Sequence, residues 1–239
     1  MRVAVITVGD ELLAGDTVNT NAAWLGRRLH GRGARVERVV TVPDRIEDVA
    51  TEVREARAAY DAVIVTGGIG PTHDDVTMDG VAAALGVPVE RHPGAVAWID
   101  EHGEYSHDDL VDGTAHLPAG ARMLPNPEGV APGAVLGGRK DSLAEDGAPV
   151  YVLPGVPTEM KAMFEAVAGE FSGAERTRAV IETPAPESAL IEHFEAARER
   201  FAVTVGSYPG ERVRIKIEGE NEAEVERAAA WFRERVEKR

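Results

Sequence analysis

Apolar runs alternate with segments of helical periodicity along residues 1–172. Four short apolar runs are typical of buried strands, at 3–8, 34–42, 61–65 and 149–153. The segments between and after them place apolar residues at helical spacing, at 22–29, 46–60, 76–85 and 159–171. This alternation predicts an α/β fold, a three-layer sandwich in which helices cover both faces of a mostly parallel sheet.

The pattern changes after a short linker at 169–175. The rest of the chain predicts the order β-α-β-β-α, with strands at 177–183, 202–205 and 212–218 and helices at 187–200 and 221–237. We therefore divide the chain into a domain at 1–172 and a small α+β module at 176–239. We expect the module to be an accessory or dimerisation element, with the placing of Tyr208 near a neighbouring site as the alternative.

The stretch TGGIGPTHDD at 66–75 places glycines where a strand passes into a helix. Gly67, Gly68 and Gly70 allow backbone conformations that are closed to other residues, and they allow a ligand to approach closely. The amide groups and the positive dipole end of the following helix favour an anion, most simply a phosphate. The stretch therefore predicts a phosphate site, with a plain Gly-rich turn as the alternative.

Acidic residues follow two of the predicted strands. Asp74 and Asp75 come after the glycines, and Asp10 and Glu11 come after the first strand. Two carboxylates would repel a phosphate unless a divalent cation such as Mg²⁺ bridges them. Because ligands bind at the carboxyl ends of strands in open α/β sheets, the four acids predict one shared metal site. The alternatives are that Asp10 and Glu11 are solvated loop acids, and that Thr72 or Asp74 caps the next helix.

Other polar residues near strand ends have simpler interpretations. We interpret Asn21, Asp44 and Thr158 as N-caps of the helices that they precede. The spacing of four histidines matches no standard metal-binding template, which argues against a zinc hydrolase: His92, His102, His107 and His116.

The composition limits the classes of function. A net charge of −15 in 239 residues argues against binding to bulk nucleic acid or to an anionic membrane. The absence of Cys excludes disulfides, thiol catalysis and thiolate metal sites. No apolar run approaches the ~20 residues of a membrane span, and the first apolar run is too short for a signal peptide. We therefore expect a cytoplasmic protein.

Four ordered motifs resemble one known family. They are TVGDELL at 7–13 with Thr20-Asn21 downstream, TGGIGPTHDD at 66–75, PNPEGVAPG at 125–133 and LPGVPTEM at 153–160. With them the chain resembles the molybdopterin-binding (MoaB/Mog-like) fold and, within it, the N-terminal region of the competence/damage-inducible protein A (CinA) family. The resemblance covers essentially the whole chain, because the module is similar to that family's KH-like module. The amidase domain that many members carry has no counterpart, and the module has no G-x-x-G loop, so deamidation and RNA binding are not expected.

The resemblance implies two chemistries at one site. In the molybdenum-cofactor branch, such a site adenylylates or binds molybdopterin. In the CinA branch, and in the similar domain of eukaryotic FAD synthase, it hydrolyses a nucleotide pyrophosphate such as ADP-ribose or FAD. Metal-dependent hydrolysis is the favoured interpretation, with a molybdopterin adenylyltransferase or a non-catalytic molybdopterin-binding protein as the alternative.

The resemblance also implies roles for individual residues. Asp10 and Asp75 would hold a divalent cation, which is Mg²⁺, Mn²⁺ or Co²⁺, and Asp75, Asp74 and Glu11 would form the catalytic set. The residues that would contact phosphate, nucleotide or pterin are Gly67, Gly68, Gly70, Thr72, Asn126, Pro154, Gly155 and Pro157. We expect a small-molecule nucleotide or pterin as the ligand, with molybdopterin among the candidates, and a homo-oligomer, either dimer or trimer.

Overall fold

The computed structural model describes residues 1–102, 113–138, 147–173 and 176–236. The chain forms two compact units, Met1–Gly173 and Ala174–Arg239. Within the described ranges, no helix is both long and apolar enough to cross a membrane.

The first unit alternates strands and helices, as its apolar pattern predicts. The described strands are β1 (Arg2–Val8), β2 (Arg35–Val42), β3 (Ala62–Thr66), β4 (Val89–Arg91), β5 (His116–Pro118), β6 (Arg122–Leu124), β7 (Gly133–Leu136) and β8 (Val150–Leu153). The described helices are α1 (Asp10–Ala14), α2 (Thr20–His30), α3 (Ile46–Ala59), α4 (Thr77–Leu85), α5 (Pro93–His102) and α6 (Pro157–Val167).

A six-stranded sheet has the order β2-β1-β3-β8-β7-β6. β1 pairs in parallel with β2 and β3, and β3 pairs in parallel with β8, whereas β7 is antiparallel to both of its neighbours. The carboxyl ends of β1, β2, β3 and β8 therefore lie at one edge of the sheet. β2 lies on one side of β1 and β3 lies on the other side. The crevice between β1 and β3 is therefore the topological switch point, at which open α/β sheets bind ligands.

Successive residues of the central strands pack on opposite faces of the sheet. On β3, Val63 and Val65 join a hydrophobic core with residues of α3, α4 and α5, whereas Ile64 joins a second core with residues of α2 and α6. Two cores separated by one sheet make three layers. The predicted α/β sandwich with a mostly parallel sheet is confirmed.

The second unit contains β9 (Thr177–Thr183), α7 (Ile191–Arg200), β10 (Thr204–Tyr208), β11 (Val213–Gly219) and α8 (Glu222–Val236). Its antiparallel sheet has the order β10-β11-β9. Burial alternates along β11, and Ile215 and Ile217 pack in a core with Ala197 of α7 and Phe232 of α8. The small α+β class predicted for this region is confirmed.

Some elements were not predicted because they are too short to show a period. α1 has five residues and occupies the segment after β1 that the sequence predicts as a polar loop. β6 has three residues and forms an edge of the large sheet. Of the four histidines whose spacing matches no metal-binding template, His107 lies outside the described residues.

The predicted caps Asn21, Asp44 and Thr158 are wrong. α2 is capped by Asn19, whose Oδ1 accepts a hydrogen bond from the third amide of the helix at 3.0 Å. α3, α4 and α6 each begin without a side-chain cap. The alternative in which a side chain caps α4 is therefore wrong as well. Asn21 and Asp44 instead make contacts between loops.

Candidate functional site

The turn after β3 packs its backbone directly on the end of β1. Gly67 has a φ of 108° and Gly68 a φ of 57°, both in the left-handed region that favours glycine. A Cβ atom on Gly67 would overlap the carbonyl oxygen of Val8, and one on Gly155 would lie 3.3 Å from the Cα of Gly67. These glycines therefore let the turn after β3 pack backbone to backbone against the end of β1 and against the loop after β8, at the switch point between β1 and β3.

Asn21 connects three segments at this edge of the sheet. Its Nδ2 donates to the Gly155 carbonyl at 2.8 Å and to Thr66 Oγ1 at 3.4 Å. Thr66 Oγ1 in turn donates to the Pro154 carbonyl at 2.7 Å. This chain of hydrogen bonds sets the loop after β8 against the end of β3, which is the role of Asn21 in place of the predicted cap.

A cavity of about 90 Å³ opens beside these contacts. Its described lining contains one carboxylate, Glu11, and no Lys, Arg or His. The other lining residues are Thr7, Val8, Leu12, Thr17, Val18, Asn19, Thr20, Asn21, Thr66, Gly67, Gly155 and Pro157. Such a lining suits an uncharged group with hydrogen-bonding atoms, because no cationic side chain is present to pair with an anion.

Asp44 lies on the β2 side of the glycine turn. Its Oδ2 accepts from the Asp10 backbone amide at 2.8 Å, and its Oδ1 lies 3.6 Å from the position that a Cβ atom on Gly68 would take. Asp10, Asp44 and Gly68 are thus neighbours. Sequence reasoning missed Asp44 as a site residue. The signal that could have found it is its place directly after a parallel strand, like the other acids.

Asp75 lies at the other end of the same turn. Its Oδ2 accepts from the Thr72 backbone amide at 2.9 Å and from Thr72 Oγ1 at 2.5 Å, and it lies 2.7 Å from the Cβ position of Gly70. The pKa of exposed Asp74 is lowered from its ordinary value, first by a hydrogen bond from the Thr72 side chain and then by one from its own backbone amide. Asp75 therefore adjoins the glycine turn through its side chain, whereas Asp10 approaches it through its backbone amide, which binds Asp44.

The side chain of Asn126 makes its contacts within the loop 125–133 and with the start of α6. Its side chain is buried, with 2% of its surface exposed. Nδ2 donates to Glu159 Oε2 at 2.7 Å and to the Ala131 carbonyl at 3.0 Å, and Oδ1 accepts from the Glu128 amide at 3.4 Å. The residue thus ties the loop 125–133 to the first turn of α6, and its contact with a ligand stays a prediction.

The carboxylates at this edge suit only some kinds of metal site. Among the described residues, no three His, Asp or Glu side chains are grouped closely enough to hold a metal ion. A metal centre built from protein ligands alone therefore does not fit. A cation such as Mg²⁺ takes one or two carboxylates and completes its shell with phosphate oxygens and water, so a site that uses fewer than three of these acids stays a prediction.

Comparison with known proteins places the chain in a family. Residues 4–172 match the family described as "Probable molybdopterin binding domain". The crystal structure of the protein CinA with unknown function from Thermoplasma acidophilum has a TM-score of 0.64 and 36% identity, over 72% of this chain and 99% of that chain. The chain belongs to the CinA family.

Relatives of this CinA-family chain differ in how much of their length it spans. A protein of Archaeoglobus fulgidus is 32% identical over 98% of this chain and 97% of its own length. A CinA-like protein of Citrifermentans bemidjiense is 43% identical over 69% of this chain but over 39% of its own length. Residues 177–239 match the family described as "FAD synthase, middle domain". The chain thus spans well under half of the named CinA-like relative.

Most of the predicted site residues meet at one edge of the sheet in this CinA-family domain. The residues that adjoin the glycine turn or the cavity are Asp10, Glu11, Gly67, Gly68, Gly70, Thr72, Asp75, Pro154, Gly155 and Pro157. Sequence reasoning did not assign Thr66 and Asn19 to the site. Thr66 is the last residue of a strand, and polar residues at that position of a parallel strand were an available signal.

Proposed function

We propose that the first unit hydrolyses a nucleotide pyrophosphate of the ADP-ribose or FAD type with the help of a divalent cation. One observation carries the proposal: acids from the loops after β1, β2 and β3 adjoin one glycine turn at the switch point, where Asp10 binds Asp44 beside Gly68 and Asp75 lies against Gly70. A diphosphate can lie in close contact with backbone amides, and beside carboxylates it needs a cation that bridges the two negatively charged groups. The match of residues 177–239 to a domain of FAD synthase supports a nucleotide ligand.

Each group would have a defined task in this reaction. The backbone of the turn would contact phosphate oxygens, and Asp10 and Asp75 would hold the cation together with those oxygens. The cation would neutralise charge on the phosphate oxygens. Asp74 or Glu11 would orient a water molecule and take its proton while the water oxygen forms a bond to phosphorus and the bridging P–O bond breaks. The products would be AMP and the second phosphate ester.

A second candidate function uses the same parts. The family match over residues 4–172 names molybdopterin binding. Adenylyl transfer to molybdopterin also breaks a phosphoanhydride, so the same turn and acids would serve it. Simple binding of molybdopterin would need the cavity and the turn but no turnover.

Substrate assays with the purified chain separate these functions. ADP-ribose, FAD, and ATP plus molybdopterin are each incubated with Mg²⁺, Mn²⁺ or Co²⁺. Release of AMP from ADP-ribose or FAD supports the hydrolase. Pyrophosphate released from ATP only when molybdopterin is present supports the transferase, and binding without turnover supports the binding module. Asp79→Asn, which changes one exposed carboxylate on α4, is the charge-matched control for changes at Asp75.

A further inference from the structure

A buried hydroxyl without a partner lies under the glycine turn. Thr77, the first residue of α4, is 0% exposed, and its Oγ1 makes no hydrogen bond within the described part of the chain. Its backbone amide donates to the Gly68 carbonyl at 3.0 Å, which fixes the residue against the turn. Valine has almost the same shape and no polar atom to leave unpaired. The hydroxyl therefore suggests a partner that the free protein does not supply.

The Thr77 hydroxyl and the Asp44 carboxylate both lie close to Gly68. Thr77 Oγ1 lies 2.8 Å, and Asp44 Oδ1 3.6 Å, from the position that a Cβ atom on Gly68 would take. The other oxygen of Asp44 accepts from the Asp10 amide, which leaves Oδ1 to receive another donor. We name this space, bounded by Asp44, Gly68 and Thr77, the Gly68 notch.

The Asp44 carboxylate and the Thr77 hydroxyl determine which chemical group can bind in the Gly68 notch. A carboxylate can only accept hydrogen bonds, and it repels a phosphate oxygen. A threonine hydroxyl can donate. A ligand hydroxyl that donates to Asp44 and accepts from Thr77 would satisfy both. Carboxylates after parallel strands accept from ribose hydroxyls in other nucleotide-binding sheets.

We propose that the Gly68 notch binds a ribose hydroxyl of the nucleotide whose phosphates lie on the turn 67–70. This rests on the proposed function in one respect, because it takes the ligand to be a nucleotide. Gly68 covers the Thr77 hydroxyl in the free protein, so the turn shifts when the ligand binds. A glycine in the left-handed region allows such a shift at little cost.

The test compares ribose with deoxyribose ligands. Binding of ADP, 2′-deoxy-ADP and 3′-deoxy-ADP to the full chain is measured by calorimetry with Mg²⁺. We expect one deoxy analogue to bind about tenfold more weakly than ADP, a difference of about 1.4 kcal/mol. In Thr77→Val this ratio should fall by about threefold and stay above one, because the Thr77 hydroxyl is gone while Asp44 still accepts from the ribose hydroxyl. Thr77→Ser keeps the hydroxyl and should keep the ratio.

A separate readout shows that Thr77→Val is folded. Its thermal midpoint should equal or exceed that of the unchanged protein, because the substitution removes an unpaired polar atom from the core. Equal affinities for all three nucleotides, an unchanged ratio in Thr77→Val, or no binding of any of them overturns the proposal. If ADP-ribose and FAD are not hydrolysed but the affinity ratio behaves as expected, the ribose-binding proposal is supported and the hydrolase proposal is rejected. If they are hydrolysed while the affinity ratio is about one, the hydrolase proposal is supported and the ribose-binding proposal is rejected.

Discussion

Replacement of Asn126 by alanine tests whether this residue anchors its loop or contacts a ligand. The buried side chain donates one hydrogen bond to the Glu159 carboxylate and one to the Ala131 carbonyl. Asn126→Ala removes both donors and leaves the carboxylate without this partner. We therefore expect a loss of stability, while the glycine turn after β3 keeps its conformation because no hydrogen bond joins it to Asn126.

The expected size of the loss follows from the two hydrogen bonds. A hydrogen bond to a charged group contributes about 1.5–3 kcal/mol and one between neutral groups about 0.5–1.5 kcal/mol. Because Glu159 is only half-buried, the lower parts of these ranges apply, and the free energy of unfolding should fall by about 2–3 kcal/mol. For a unit of this size the thermal midpoint should fall by about 4–12 °C.

Urea unfolding of Asn126→Ala beside the unchanged protein measures this loss. Glu159→Gln is the matched control, because it keeps an acceptor for Asn126 and removes only the charge, so it should lose about 1 kcal/mol. Stability within about 0.5 kcal/mol of the unchanged protein, together with lost nucleotide binding, would refute the loop-anchor role and favour direct contact with the ligand.

Three further predictions concern acidic residues and the start of α2. Asp75→Asn should abolish turnover of ADP-ribose or FAD and leave the circular dichroism spectrum unchanged, and full activity of this variant would reject the site assignment. The Arg2 backbone amide lowers the pKa of Asp61 from its ordinary 3.8, so the stability that Asp61 contributes is complete above pH 3.8 and is lost as the pH falls through the lowered pKa. Asp61→Asn should therefore flatten the loss of stability in that acid range, and superimposable acid unfolding curves would contradict this. Asn19→Ala should lower the free energy of unfolding by about 1 kcal/mol in urea, because it removes the N-cap of α2, and an unchanged unfolding curve would show that the cap contributes nothing.

The parts of the fold that the sequence predicted well are those encoded locally. β3 is a run of five buried residues, and its apolar letters alone identify it. The glycines at 67 and 68 adopt positive φ, as their place between a strand and a helix indicates. Parallel pairing then brings the loops after β1, β2, β3 and β8 to one edge, which is why acids distant in sequence adjoin one turn.

The parts that the sequence did not predict depend on contacts between distant segments. Asn is a residue type that favours helix N-caps. The side-chain amide of Asn21, however, donates to the carbonyl of Gly155, which is 134 positions away in the chain. Asp44 likewise precedes a helix, and the amide it binds belongs to Asp10 on a neighbouring loop. A short polar side chain can serve a cap or a loop contact equally well, so only the tertiary arrangement decides which contact forms.

Release of AMP from ADP-ribose and FAD, measured with and without a divalent cation, tests the central claim most directly. We predict release that requires Mg²⁺, Mn²⁺ or Co²⁺, that stops in Asp75→Asn and that continues in Asp79→Asn. Release at the same rate in the presence of a chelator, or no release from either substrate with any of the three cations, would contradict a cation-bridged phosphoanhydride site on the glycine turn.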